Sequence, residues 1–156
     1  MSIKVDFSEI ITLGKEFNDL AGSVLEENLA QGAHIAGAQI QSDARALVPV
    51  DTGALRISIE NSANISTGDI LQTVGPTQPY GKDIELGRPP GTYVSPQALA
   101  RWAAKRGLNP YAVAKGIEKH GSPAQPYLFP SFEKNADRVV LIISQALQNA
   151  FNKVFK

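Results

Sequence analysis

Two runs of apolar residues with helical spacing, one near each end of the chain, constrain its fold more than any other feature. Near the C-terminus, Phe129, Phe132, Ala136, Val139, Ile143, Leu147, Ala150 and Val154 follow one another mainly in steps of three and four. That spacing puts them on one helical face. Val139-Val-Leu-Ile-Ile143 alone suits a strand, but its flanks are helical over many residues. Near the N-terminus, Ile10, Leu13, Phe17, Leu20 and Val24 repeat the pattern, and Leu25, Leu29, Ala33, Ala36, Ile40, Ala44 and Leu47 continue it. The spacing predicts one long helix, or two with a break, over about 7–47. Asp6-Phe-Ser-Glu9 reads as a capping box at its start. Gly32, Ala33, Ala36, Gly37 and Ala38 are small, which allows a neighbour to cross closely and favours a kink near Gly32 or Gly37.

Pro49 ends the first run, because the residue before a proline is pushed out of the α region. Leu55, Ile57 and Ile59 then alternate with Arg56, Ser58 and Glu60, the pattern of a half-buried strand. Ser66-Thr-Gly-Asp69 is a turn, Ile70 to Val74 the returning strand and Gly75-Pro76 its close. Tyr80 to Leu86 is expected as a further short strand, and 87–95 as a loop. Ser95-Pro96 and Asn109-Pro110 each set a capping side chain before a first-turn proline, so two short helices follow. Gly107 and Gly121 are their stops. The 156 residues are expected to form a single domain, with Leu47, Leu55, Ile57, Phe132, Val139 and Ile143 joining the long helices to the sheet.

Composition removes several classes of function. Fifteen basic residues balance fifteen acidic ones, which argues against a whole-molecule polyanion binder. Cysteine is absent, so a disulfide scaffold, a thiol nucleophile, a Cys-ligated zinc and an iron–sulfur cluster are excluded. Of the two histidines, His34 has no second ligand at helical spacing, and His120 ends a helix whose dipole suits a positive charge. There is no glycine-rich phosphate loop, and no metal or cofactor is expected. No apolar run approaches the roughly 18 residues of a membrane span, and residues 1–6 carry no signal-peptide character. The chain is therefore expected to be cytosolic at synthesis, with no membrane partner. Its charge is uneven: 1–50 carries seven acids against three bases, and 96–120 five bases against one acid. Such segregation suits head-to-tail pairing between subunits, although two solvated faces would look the same.

Three local patterns resemble catalytic or DNA-reading motifs. Asp51-Thr52-Gly53 after an apolar stretch matches the signature of retroviral-type aspartic proteases, in which two chains share a carboxylate dyad, and Ile84-Glu-Leu-Gly-Arg88 is a distant echo of their second signature. Long flanking helices and Pro49 fit that all-β fold poorly. The simpler expectation is a structural turn of Pro49, Asp51, Thr52 and Gly53. In it Asp51 accepts amide protons from Gly53 or Ala54, and Gly53 supplies a positive φ. Ser131-Phe-Glu-Lys134 matches the Ser-x-x-Lys pattern of serine acyltransferases but lacks that group's companion motifs. The basic helix pair over 95–121, packed through Leu99, Trp102, Ala103, Val113 and Ile117, has the outline of a helix-turn-helix. Its second helix opens with the apolar Pro110-Tyr-Ala-Val-Ala rather than with base-reading side chains. A surface interaction element suits it better, with Arg101, Trp102, Lys105, Arg106, Tyr111, Lys115, Tyr127 and Phe129 as candidate contacts.

Three segments, in order, carry a resemblance. Ala44-Arg-Ala-Leu-Val-Pro-Val-Asp-Thr-Gly-Ala-Leu-Arg-Ile-Ser-Ile59 closes the long N-terminal helix. Tyr80-Gly-Lys-Asp-Ile-Glu-Leu-Gly87 has the form Tyr-x-x-x-x-Glu-x-Gly. Gly121-Ser-Pro-Ala-Gln-Pro-Tyr-Leu-Phe-Pro130 leads into the last helix, with Tyr127 and Ser131 where Phe and Ala are commoner. Together they resemble the tail-component or neck (tail-completion) proteins of long-tailed double-stranded DNA bacteriophages. Residues 95–120 resemble the Trp-containing helical insertion of longer members. The resemblance implies an α+β fold: long N- and C-terminal helices on a small antiparallel sheet, with a two-helix insertion. It implies no enzymatic activity and a place in the virion, at the head–tail junction or tail, as one subunit of an oligomer. The expected partners are other copies in a ring and neighbouring neck, connector or tail-terminator proteins. DNA passes only as non-specific cargo.

Overall fold

The computed structural model describes residues 2–6, 19–66 and 69–154. The order of elements is β1 (Ile3–Asp6), α1 (Asp19–Leu47), α2 (Ala54–Ile57), β2 (Ile59–Ser66), β3 (Asp69–Pro76), α3 (Gly81–Leu86), α4 (Pro96–Ala104), α5 (Pro110–His120) and α6 (Leu128–Val154). This is the expected α+β class, with a long helix toward each end and one antiparallel sheet. The sheet order is β1-β3-β2, with Ile3 and Asn61 both opposite Val74 on the central strand. Strand β1 was not expected. Asp6 belongs to it, and the rest of the proposed capping box lies outside the described residues, as does 7–18 of the predicted helix. The centre of the 66–69 turn also lies outside them, but Ser66 pairs with Asp69 across it as a hairpin requires.

Helix α1 lies over the inner face of the sheet, and α6 runs antiparallel along α1. Leu29, Ala33, Ala36, Ile40 and Ala44 of α1 meet Ile59, Ile70 and Val74 of the sheet and Leu128, Val139, Ile143 and Ala146 of α6 in one buried cluster. The small residues of α1 do what their size suggests. A Cβ on Gly32 would stand 2.8 Å from the Ala146 Cβ, and one on Gly37 would overlap the Asn61 side chain. Helix α1 runs unbroken through both glycines, as one helix and not two.

Two predicted strands are helical instead. Residues 54–57 form the single turn α2, held by Ile57 N–H to Gly53 O (3.0 Å) and Ser58 N–H to Ala54 O (3.0 Å). Residues two apart point to opposite sides of a helix. Leu55 is therefore buried and Ile57 is 75% exposed. Strand β2 begins only at Ile59. Leu47 also points outward, and Val48 takes the core position at the end of α1. The other four expected core residues lie in or against the core, Phe132 at its margin. Residues 81–86 form α3, because Asp83 and Ile84 both donate to the Tyr80 carbonyl (3.0 and 3.2 Å). That turn carries Glu85 inward.

Candidate functional site

Helix α6 starts without a local cap. Gln125, Pro126 and Tyr127 precede it, and none supplies the short side-chain oxygen that usually accepts the first free amides. A carboxylate from a distant element does so instead. Glu85, only 2% exposed, accepts from Tyr127 N–H (2.7 Å) and Leu128 N–H (2.9 Å) through Oε2, and from Phe129 N–H (2.9 Å) through Oε1. A negative charge there also suits the positive end of the helix dipole. Tyr127 closes the joint from the other side. Its ring is fully buried, and its hydroxyl donates to Gly81 O (3.3 Å). Burial, with Glu85 and Tyr80 nearby, pushes the phenol pKa up to about 12.

The network continues along α6. Ser131 Oγ donates to Tyr127 O (2.5 Å). Asn135 Nδ2 donates to Ser131 O (2.8 Å) and to Asp43 Oδ2 on α1 (2.6 Å). Lys134 pairs with Asp43 Oδ1 (2.9 Å). The Asn135 and Lys134 contacts hold the Asp43 carboxyl below its usual 3.8. Ser131 and Lys134 thus have separate structural partners, and no Ser–Lys catalytic pair forms.

Between α3 and α6 the chain leaves the body and returns through a narrow neck. Arg88 and Ser122 exchange backbone hydrogen bonds (3.0 and 2.9 Å). Gln125 N–H donates to Ile84 O (2.8 Å), and Arg88 pairs with Asp83 (2.9 Å). Gly87 and Gly121 both have positive φ, 72° and 76°, and a Cβ on Gly87 would stand 2.6 Å from Ser122 O. Beyond this neck α4 and α5 pack on one another around Ala103 and Ala114. The predicted stops at Gly107 and Gly121 hold. Of the predicted caps, Asn109 accepts from Tyr111 N–H (2.9 Å). Ser95 makes no cap, and its hydroxyl donates to Gln97 (2.6 Å).

Asp51 is not the cap of its turn. Thr52 Oγ1 accepts from Ala54 N–H (3.2 Å), and Gly53 supplies the expected positive φ of 83°. Pro49 lies exposed just beyond α1. Asp51 instead reaches the insertion. Lys105 Nζ donates to its carboxylate (2.7 Å) and its carbonyl (2.9 Å), and Arg106 stands 4.0 Å away. The Lys105 hydrogen bond holds the Asp51 carboxyl below its usual 3.8. Arg106 also stacks on Trp102, 4.2 Å from the ring centre.

Of the candidate surface residues, Arg101, Lys105, Arg106, Tyr111, Lys115 and Phe129 are exposed, and Trp102 is half-buried. Tyr127 is not a surface anchor: it is sealed inside the Glu85 joint, because its backbone and its ring both serve the start of α6. Glu85 itself was given no role from sequence. The signal for it was a lone acid between Ile84 and Leu86, together with a later helix that lacks its own cap. Among the described residues no cluster of His, Asp or Glu has the makings of a metal site, and no helix is long and apolar enough to cross a membrane. No family model, curated protein or solved structure matches the chain.

Proposed function

We propose that the chain is a non-enzymatic structural protein of the neck or tail of a long-tailed DNA phage. It completes the tail and joins it to the head connector as one subunit of an oligomeric ring, with DNA passing through unread. It is made in the host cytoplasm and functions in the virion. One observation carries the reading: two of the three segments behind the phage resemblance meet at a single joint, Glu85 of 80–87 gripping residues 127–129 of 121–130. Residues spaced apart in sequence and matched to one family make sense together if they build the same scaffold. The partners are neighbouring copies and the adjacent neck, connector or tail-terminator proteins.

The rival readings fit less well. A shared-proton dyad raises one carboxyl pKa in a water-poor cleft. Asp51 is instead ion-paired on an exposed turn, with its pKa lowered. A helix-turn-helix reader presents polar side chains at the start of its second helix, whereas α5 opens with Tyr111 and Ala112 facing solvent. The test is gold-labelled antibody on purified particles in the electron microscope. Label at the neck or tail is expected; particles free of label, or peptide cleavage abolished by Asp51→Asn, would refute the reading.

A further inference from the structure

The charge contrast seen in the sequence changes once internal pairs are subtracted. On the insertion, Lys105 and Arg106 are already turned toward Asp51. Arg101 also acts on the Asp51 carboxylate, whereas Lys115 and Lys119 have no ion-pair partner among the described residues and are exposed. Tyr111, Lys115 and Lys119 recur every four residues along α5, so they share one face, and Tyr111 is 65% exposed. The one acid of the insertion, Glu118, lies beside them and leaves the face net positive. On α1, Asp43 is taken by Lys134 and Asn135, while Glu26 and Glu27 have no cationic partner among the described residues. These two line an open groove of about 430 Å³ with Ser23, Ala30 and Ile65. Ile65, at the hairpin end, is 51% exposed.

We infer that this groove receives the Tyr111–Lys115–Lys119 face of α5 from a second copy of the chain. The tyrosine ring would lie against Ile65 and Ala30, and the lysines would meet Glu26 and Glu27. The aromatic residue supplies the buried anchor and the charges fix register, the usual division of labour at an interface. One molecule does not make this contact with itself. The groove lies near one end of α1 and the Asp51 attachment of the insertion just beyond the other. From Glu26 to Leu47 the helix rises about 30 Å. A contact between two different surfaces repeats head to tail, closing into a ring if the rotation permits. The inference rests on the proposed self-assembly and specifies its surfaces.

Sedimentation of the purified full-length chain tests it. The wild type is expected to associate, less so at high salt. The double variants Lys115→Glu/Lys119→Glu and Glu26→Lys/Glu27→Lys are each expected to weaken association about tenfold or more. All four side chains lie on helix surfaces without ion pairs among the described residues, and circular dichroism checks that both variants fold. An equimolar mixture of the two is expected to recover association, because each reversed face then meets a reversed groove. A wild type still monomeric at about 1 mM, variants that sediment like the wild type, or a mixture without recovery would overturn the inference. Label absent from the particle defeats the functional reading and leaves this contact measurable in solution. Unchanged variants defeat the contact and leave the neck reading standing.

Discussion

Glu85 and Asp51 join segments far apart in sequence by opposite means. Glu85 lies buried in the body and accepts three backbone amides at the start of α6. Asp51 lies on an exposed turn and holds the insertion through lysine and arginine side chains. A buried carboxylate on fixed amides is short, directional and unscreened, whereas an exposed ion pair contributes little and weakens with salt. The body therefore has one well-defined arrangement of α1, α6 and sheet. The insertion has its own small core and joins the rest through the Arg88–Ser122 bridge and the exposed Asp51 ion pairs.

Mutations at the two carboxylates should differ most. Glu85→Ala leaves three amides at the start of α6 without their acceptor and should cost more than about 3 kcal/mol in urea denaturation. A loss under about 1 kcal/mol would mean that the joint does not hold the body. Glu85→Gln keeps the shape with one acceptor oxygen and should fall between that variant and the wild type.

Next come the apolar contacts between α1 and α6. Val139→Ala and Ile143→Ala should each cost on the order of 1–4 kcal/mol, while the same truncation at exposed Ile57 should be nearly neutral. Equal effects at all three sites would contradict the helical turn at 54–57.

Tyr127 gives the joint a pH signature. Its pKa is raised in the folded chain to about 12 from 10.0, so its contribution is complete below pH 10 and is lost as pH rises from there toward 12. Alkaline titration of stability should show that fall in the wild type and a shallower one in Tyr127→Phe. Parallel curves would place the phenol outside the joint.

The smallest effect is expected at Asp51. Asp51→Ala should barely change the melting temperature, and high salt should erase what difference there is. Because the Asp51 carboxyl is held below 3.8, its link to Lys105 should persist at neutral pH and be lost only as pH falls below that value. A large, salt-independent loss of stability would make the insertion part of the body's core.

What the sequence revealed follows from how local each signal is. The last helix, the Asn109 cap, the glycine stops and the close crossing at Gly32 depend on spacing or on single residues, and were legible. The alternation of Leu55, Ile57 and Ile59 was misleading, because one helical turn followed by a strand places the first and last of the three inward, just as a continuous strand would. Strand β1 is four residues long and gains its identity only by pairing with β3. The Glu85 joint spans more than forty positions, so the local pattern that marks Glu85 does not reveal what it holds, and Tyr127 read as a surface aromatic for the same reason. Charge balance counted the insertion's cations correctly but not their internal partners, which only the folded chain exposes.

The division between body and insertion is tested most directly by a variant in which 89–121 is replaced by a short flexible linker between Arg88 and Ser122, assayed for both folding and particle assembly. The linker spans the gap already closed by the Arg88–Ser122 hydrogen bonds. The body should therefore unfold in urea at nearly the wild-type midpoint, while tailed, infectious particles should fail to form. A body that no longer folds, or normal yields of joined virions from the folded variant, would contradict the separation of scaffold from assembly surface.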